Sequence, residues 1–151
     1  MRLTTKLFFA ALLVLSLQSL SAQILKPVRW SYGAKKINAT EAVVFIKATI
    51  DEGWHLYSQH VSEGGPVKTT FSFPASKDYT LNGATQEPKP IVRMESAFNM
   101  QVAFFEKSVI FQQRIKLKKL QTTVKGSVEY MTCNDEKCLP PDTQSFSIPI
   151  K

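Results

Sequence analysis

Cys133 and Cys138 bracket the tetrapeptide Asn134-Asp135-Glu136-Lys137, and the 151-residue chain has no other cysteine. Two sulfurs exclude a four-cysteine zinc site and a disulfide-dense mini-scaffold. A strand-like pattern runs into Cys133 and another begins after Pro141, so the pair sits at the tip of a hairpin-like connection. Four intervening residues let the chain double back far enough to bring two Cα atoms within disulfide range. Two chemistries fit. One is a passive clip, which in a ring this small stabilises by about 2 kcal/mol, against roughly 4 for a long-range link. The other is a redox pair open to attack by a foreign thiolate. The spacing is not C-x-x-C and no helix N-terminus adjoins it; spacing alone tips toward the clip.

Other reactive side chains suggest less. His55 and His60 are five apart and fall on opposite faces of a regular strand, which argues against a shared metal. Met94, Met100 and Met131 could join Cys or His around copper(I), a soft ion, but scattered methionines more often fill a core. No metal site and no cofactor are expected. Lys116, Lys118 and Lys119 read as a solvated strand edge. The chain carries 19 Lys+Arg against 12 Asp+Glu, net +7, but no aromatic-interleaved basic groove, so nucleic acid is not an expected partner.

The elements that must position the cysteines are strands. Residues 1–22 stand apart: Arg2 and Lys6 precede the apolar run Leu7 to Leu15, and Ser16 to Ala22 is small and polar. That is the layout of a secretory signal peptide, too short to span a bilayer comfortably, with cleavage expected after Ala22. Residues 23–151 are then one extracytoplasmic domain, periplasmic in a bacterium, where disulfides persist. With 44% hydrophobic and 21% charged residues the composition is that of a globular chain. Period-two patterns recur at Val28-Trp30-Tyr32, at Val109-Phe111-Ile115-Leu117 with Gln113 interrupting, at Val124-Val128-Tyr130 and at Phe146-Ile148-Ile150, and Ala42 to Ile50 is β-branched and aromatic. Turn signals separate them at Asp51-Glu52-Gly53, Glu63 to Pro66, Asn82-Gly83 and Leu139 to Asp142. No long amphipathic helix pattern occurs. Seven or eight short strands predict an all-β, immunoglobulin-like antiparallel β-sandwich, expected to be a monomer. The weakly periodic stretch from Pro90 to Met100 reads as a long loop.

The words around the cysteines add a resemblance. Val128-Glu129-Tyr130-Met131-Thr132-Cys133, followed by Cys138-Leu139-Pro140-Pro141-Asp142-Thr143, resembles the N-terminal periplasmic domain of the DsbD thiol:disulfide interchange family. Gly53-Trp54-His55-Leu56-Tyr57-Ser58, Phe71 to Pro74 and Glu95-Ser96-Ala97-Phe98 are similar to further stretches of that family, so the likeness spans nearly all of residues 23–151. The inter-cysteine loop is shorter than the family pattern. The resemblance implies an immunoglobulin-like sandwich with a cap loop. It also implies a cysteine pair that takes electrons from a thioredoxin-like domain and passes them to oxidised extracytoplasmic proteins. The family's transporter continues into membrane and thioredoxin-like domains; this chain ends at Lys151, so a separate thioredoxin-like or DsbD-type membrane protein is the expected donor.

The resemblance also assigns residues. Cys138, beside the Pro-Pro segment, takes the position of the cysteine that bonds to the partner, and Cys133 resolves. Lys137 favours a thiolate there, whereas Asp135 and Glu136 oppose it, so charge alone does not choose. Phe98 matches the cap's shielding aromatic, Glu95 loosely matches its acidic character, and Tyr57 and Tyr130 are candidates to line the pocket. Each aromatic also has an ordinary reading as core. The alternative function is a non-catalytic secreted sandwich that binds a protein partner or copper and holds a structural disulfide.

Overall fold

A computed structural model describes residues 25–151; the leader read at residues 1–22 lies outside them. Among the described residues there is no helix, and every ladder is antiparallel.

The long strands arise where alternation is strongest. Strand β8, Ser108–Leu117, buries every second side chain, including Val109, Phe111, Ile115 and Leu117. Gln113 keeps that parity and is 1% exposed. Its amide is satisfied inside: Oε1 accepts from the Thr85 hydroxyl at 2.8 Å, and Nε2 donates to the carbonyls of Gly83 at 3.0 Å and Arg114 at 2.8 Å. A buried amide with its hydrogen bonds made is tolerated within an apolar face. Strand β2, Glu41–Ile50, lies between β8 and β1, Val28–Lys36, and the short β5, Tyr79–Leu81, closes the far side in the order β1-β2-β8-β5.

A second sheet, β11-β9-β4, packs on the first. Strand β9, Thr122–Tyr130, pairs along its length with β11, Asp142–Ile150, and β4, Thr70–Ser72, flanks it. Phe146 crosses directly over Gly126, where a Cβ would lie 2.5 Å from the Phe146 ring and 2.6 Å from the Ser72 carbonyl oxygen, so only glycine fits. Phe111 joins the layers: its ring lies 4.9 Å from Phe71, 5.9 Å from Phe105 and 6.3 Å from Trp30, between centroids. The neighbours come from β4, from β7, Met100–Phe105, and from β1. This is the expected immunoglobulin-like sandwich.

A small sheet caps one end in the order β10-β3-β7-β6: Thr132–Cys133, His55–Tyr57, Met100–Phe105 and Ile91–Glu95. Its two faces do different jobs because strand side chains alternate. Leu56 and Phe105, paired across the ladder, enter the main core. Tyr57 and Phe104, the next pair, turn away and form a second cluster with Val102 and Cys133.

Three expectations are corrected. There are eleven strands among the described residues, not seven or eight, because β3, β4, β5 and β10 are too short to show a period. The stretch read as a loop from Pro90 to Met100 forms strand β6 and a turn into β7, with Phe98 N–H donating to the Glu95 carbonyl at 3.1 Å. As an edge strand β6 leaves Ile91, Val92, Arg93 and Met94 exposed, so no buried parity marks it. Lys116 does not guard an edge: β8 is an inner strand, and Lys119 instead pairs with Asp78 at 2.7 Å.

Candidate functional site

Cys133 ends β10 and Cys138 faces it as an antiparallel bridge pair, with Cα atoms 4.0 Å apart and the sulfurs joined as a disulfide. The turn between them is closed by its own hydrogen bonds. Asn134 N–H donates to the Lys137 carbonyl at 2.9 Å. The Asn134 side-chain oxygen accepts from the amides of Glu136 at 3.0 Å and Lys137 at 2.8 Å. Beyond it, Leu139 N–H donates to the Thr132 carbonyl at 2.9 Å. The side-chain carbonyl of asparagine stands in for a backbone acceptor, which is why this residue type suits the first position of the turn.

The two sulfur-bearing residues differ sharply in access. Cys133 is 2% exposed, whereas Cys138 is exposed to solvent. The pair borders a cleft of about 500 Å³ whose opposite wall is Arg93 to Ala97 with Tyr57 at its base. The cap is therefore a β-hairpin that faces the disulfide. Glu95 lines the cleft, and Phe98, at the hairpin turn, is half-buried against the cluster containing Tyr57 and Cys133. Its ring meets that of Tyr57 edge-on, 6.3 Å between centroids.

Tyr57 is fully buried, and burial, reinforced by the Glu95 carboxylate, pushes its phenol far above the ordinary range. It remains a protonated donor at any physiological pH. Tyr130 goes elsewhere. It follows Val128 in the inward parity of β9, packs 5.2 Å from Trp30 in the main core and donates to Asp142 at 3.3 Å. With Leu139, Pro140 and Pro141 it lines a separate groove. The structure thus brings Cys133, Cys138, Glu95, Phe98 and Tyr57 together and places Tyr130 in the main core.

Two residues at the site were not singled out from the sequence as part of it. His55 lies opposite Cys133 in the β3/β10 ladder and is 3% exposed. Its Nε2 is 3.3 Å from the Tyr57 hydroxyl and 3.9 Å from Glu95 Oε1. Burial lowers its pKa from 6.5; Glu95 opposes that shift and Arg93 adds to it. Arg93 lies 4.7 Å over the Phe104 ring and reaches Glu95 at 3.8 Å and Glu106 at 3.6 Å. The available signal was alternation: His55 and Tyr57, two apart in one strand, must share a face. His60, beyond the strand, borders a different groove with Thr85 to Pro90. Met100 and Met131 pack against the second cluster, and Met94 is exposed on β6.

The geometry can be set beside known proteins. The family model described as thiol:disulfide interchange protein DsbD, N-terminal, matches residues 21–149. Among solved structures, the N-terminal domain of DsbD from Neisseria meningitidis in its reduced form has a TM-score of 0.55 at 15% identity, covering 83% of this chain and 89% of that one. The N-terminal periplasmic domain of ScsB from Proteus mirabilis has a TM-score of 0.61 at 17% identity, covering 87% of this chain and 49% of that one. The complex between the DsbD N-terminal and PilB N-terminal domains from Neisseria meningitidis matches with a TM-score of 0.54 at 14% identity, covering 83% of this chain and 87% of that one. No sequence among the curated proteins matches. The structural likenesses carry the fold, and the family model spans nearly the whole described chain: it belongs to the family of the DsbD N-terminal domain, of the thiol:disulfide interchange proteins.

Proposed function

We propose that this protein carries electrons outside the cytoplasm by thiol–disulfide exchange through Cys133 and Cys138. The observation that carries the reading is the unequal access of the two cysteines, one 2% exposed and the other open to solvent beside a cleft. A donor's thiolate attacks the accessible sulfur of Cys138, and Cys133 leaves. A dithiol results once the donor's second thiol resolves the mixed disulfide. In the reverse sense the Cys138 thiolate attacks an oxidised acceptor, and Cys133 closes the ring. The turn also argues against a mere clip. Its hydrogen bonds already hold the chain reversal, so a ring worth about 2 kcal/mol adds little as a staple.

The donor in this reading is a thioredoxin-like domain or a DsbD-type membrane protein, and the acceptors are oxidised extracytoplasmic proteins. The solved complex of a DsbD N-terminal domain with a PilB N-terminal domain supports docking of this kind of domain onto a second protein domain. The protein acts as a monomer after export, with the leader at residues 1–22 removed; a mature form beginning at Gln23 is the expected mass-spectrometric result. The periplasmic placement of the similar ScsB domain supports that compartment.

The test is a trap. Cys133→Ser, which leaves Cys138, accumulates a mixed disulfide with a thioredoxin-like protein, and Cys138→Ser does not. Trapping by Cys138→Ser alone would reverse the two roles. Trapping by neither, with a reduction potential below about −300 mV, would make the disulfide structural.

A further inference from the structure

The exchange proposed above creates a charge in a buried place. When a partner's thiolate bonds to Sγ of Cys138, the Cys133–Cys138 bond breaks and its electron pair remains on Sγ of Cys133. That residue is 2% exposed, and an unpaired charge in such a position is strongly disfavoured. Lys137, the cation of the turn, is exposed to solvent and screened there.

His55 is placed to answer this. It sits directly across the ladder from Cys133, and directly opposed residues share a face with Cβ atoms about 4.5–5.5 Å apart. Both residues pack on the same two rings: His55 lies 5.3 Å from Tyr57 and 4.8 Å from Phe104, and Cys133 clusters with both. We propose that His55 serves the departing sulfur, its imidazole N–H meeting the Cys133 thiolate formed when a partner bonds to Cys138. This rests on the exchange reading of the pair.

The surroundings of the ring fit that task. The groups that face it are Tyr57 on its own strand, Arg93 and Glu95 on β6, Glu106 after β7, and Asp135 in the cysteine turn. Nε2 lies 3.3 Å from the Tyr57 hydroxyl, which burial keeps protonated; with that hydroxyl as the donor, the neutral imidazole carries its own proton on Nδ1. In this form His55 donates a hydrogen bond and gives up no proton. When the ring takes a second proton at lower pH, it transfers one outright, and the products are a Cys133 thiol and a neutral imidazole. Glu95 and Asp135 favour that cation and Arg93 opposes it.

The experiment measures reduction of the disulfide by dithiothreitol, with the rate corrected for the thiolate fraction of the reagent, from pH 8 to pH 5. The native protein shows a rate that rises below pH 6.5 as His55 gains its second proton. His55→Phe is reduced about tenfold to a hundredfold more slowly at neutral pH, the range expected when a hydrogen bond to a charged group is lost. His55→Gln, which keeps an N–H donor, recovers most of the neutral rate but loses the rise on acidification. Circular dichroism establishes that each variant is folded; should His55→Phe fail to fold, loss of the acid rise in His55→Gln decides alone. Variants with the native rate and the native pH profile would overturn the assignment while leaving the exchange reading intact. A native disulfide that dithiothreitol does not reduce would overturn both.

Discussion

The sandwich interior and the small sheet at its end are built from the same alternation and put it to different uses. In the sandwich, strands of nine or ten residues send apolar side chains to one interior, and the polar exception on β8, Gln113, has its hydrogen bonds met. The small sheet has strands of two to six residues, and its outer face gathers Cys133, His55, Tyr57 and Phe104 beneath Glu95 and Arg93. Leu56 and Phe105, on its inner face, belong to the sandwich core. In the exchange reading, stability and reactivity then fall on opposite sides of one sheet. The difference teaches that perturbations should sort by face, and that sorting can be tested.

The largest effect is expected in the sandwich. Phe111→Ala removes the ring that joins β4, β7 and β1 to β8, and such truncations cost about 3–5 kcal/mol. Urea unfolding should show this loss, while the dithiothreitol rate of the protein that remains folded stays near native; a changed rate would blur the division. Next comes the outer face. Phe98→Ala opens the cap over Tyr57 and Cys133 and should speed reduction severalfold, with an unfolding midpoint shifted much less than by Phe111→Ala. An unchanged rate would make Phe98 a packing residue only.

The smallest effects are electrostatic and separate by pH. His55 has a folded pKa below its unfolded value of 6.5, because burial disfavours the cation. Its contribution to stability is complete above pH 6.5 and declines as acid carries the protein down through the folded pKa. Asp78 has a folded pKa below 3.8, chiefly through the hydrogen bond from Lys119. Its contribution is present above pH 3.8 and disappears only at more acid pH, as the folded carboxylate itself takes a proton. Stability measured against pH should therefore lose its first step in His55→Gln and its second in Lys119→Met. If a step survives the change aimed at it, that step belongs to another group.

Much of the sandwich was legible because burial imposes a period. Val109 to Leu117 and Phe146 to Ile150 could be read directly, and Gln113 marked an interruption that turns out to be an inward-facing amide. Strand β6 was not legible, since an edge strand exposed on both faces has no parity to display. The cysteine turn was legible as a turn, but spacing could not reveal that Cys133 is buried and Cys138 is not; that follows from which residue pairs with β3. Resemblance placed Tyr57, Glu95 and Phe98 near the pair. It also nominated Tyr130, which the inward parity of Val124 and Val128 sends to the main core. His55 escaped notice as a neighbour of Cys133 because that contact depends on a ladder between distant segments.

The asparagine-closed turn has a kinetic consequence. Its hydrogen bonds involve Asn134, Glu136 and Lys137 and none of them runs through sulfur, so reduction leaves the two thiols fixed as neighbours. Ring closure is then an intramolecular reaction with a high effective molarity. Any small thiol that caps Cys138 faces displacement from within, and the adduct is short-lived. In the exchange reading, a docked protein partner, held by contacts beyond its sulfur, would stay attached longer than a small thiol.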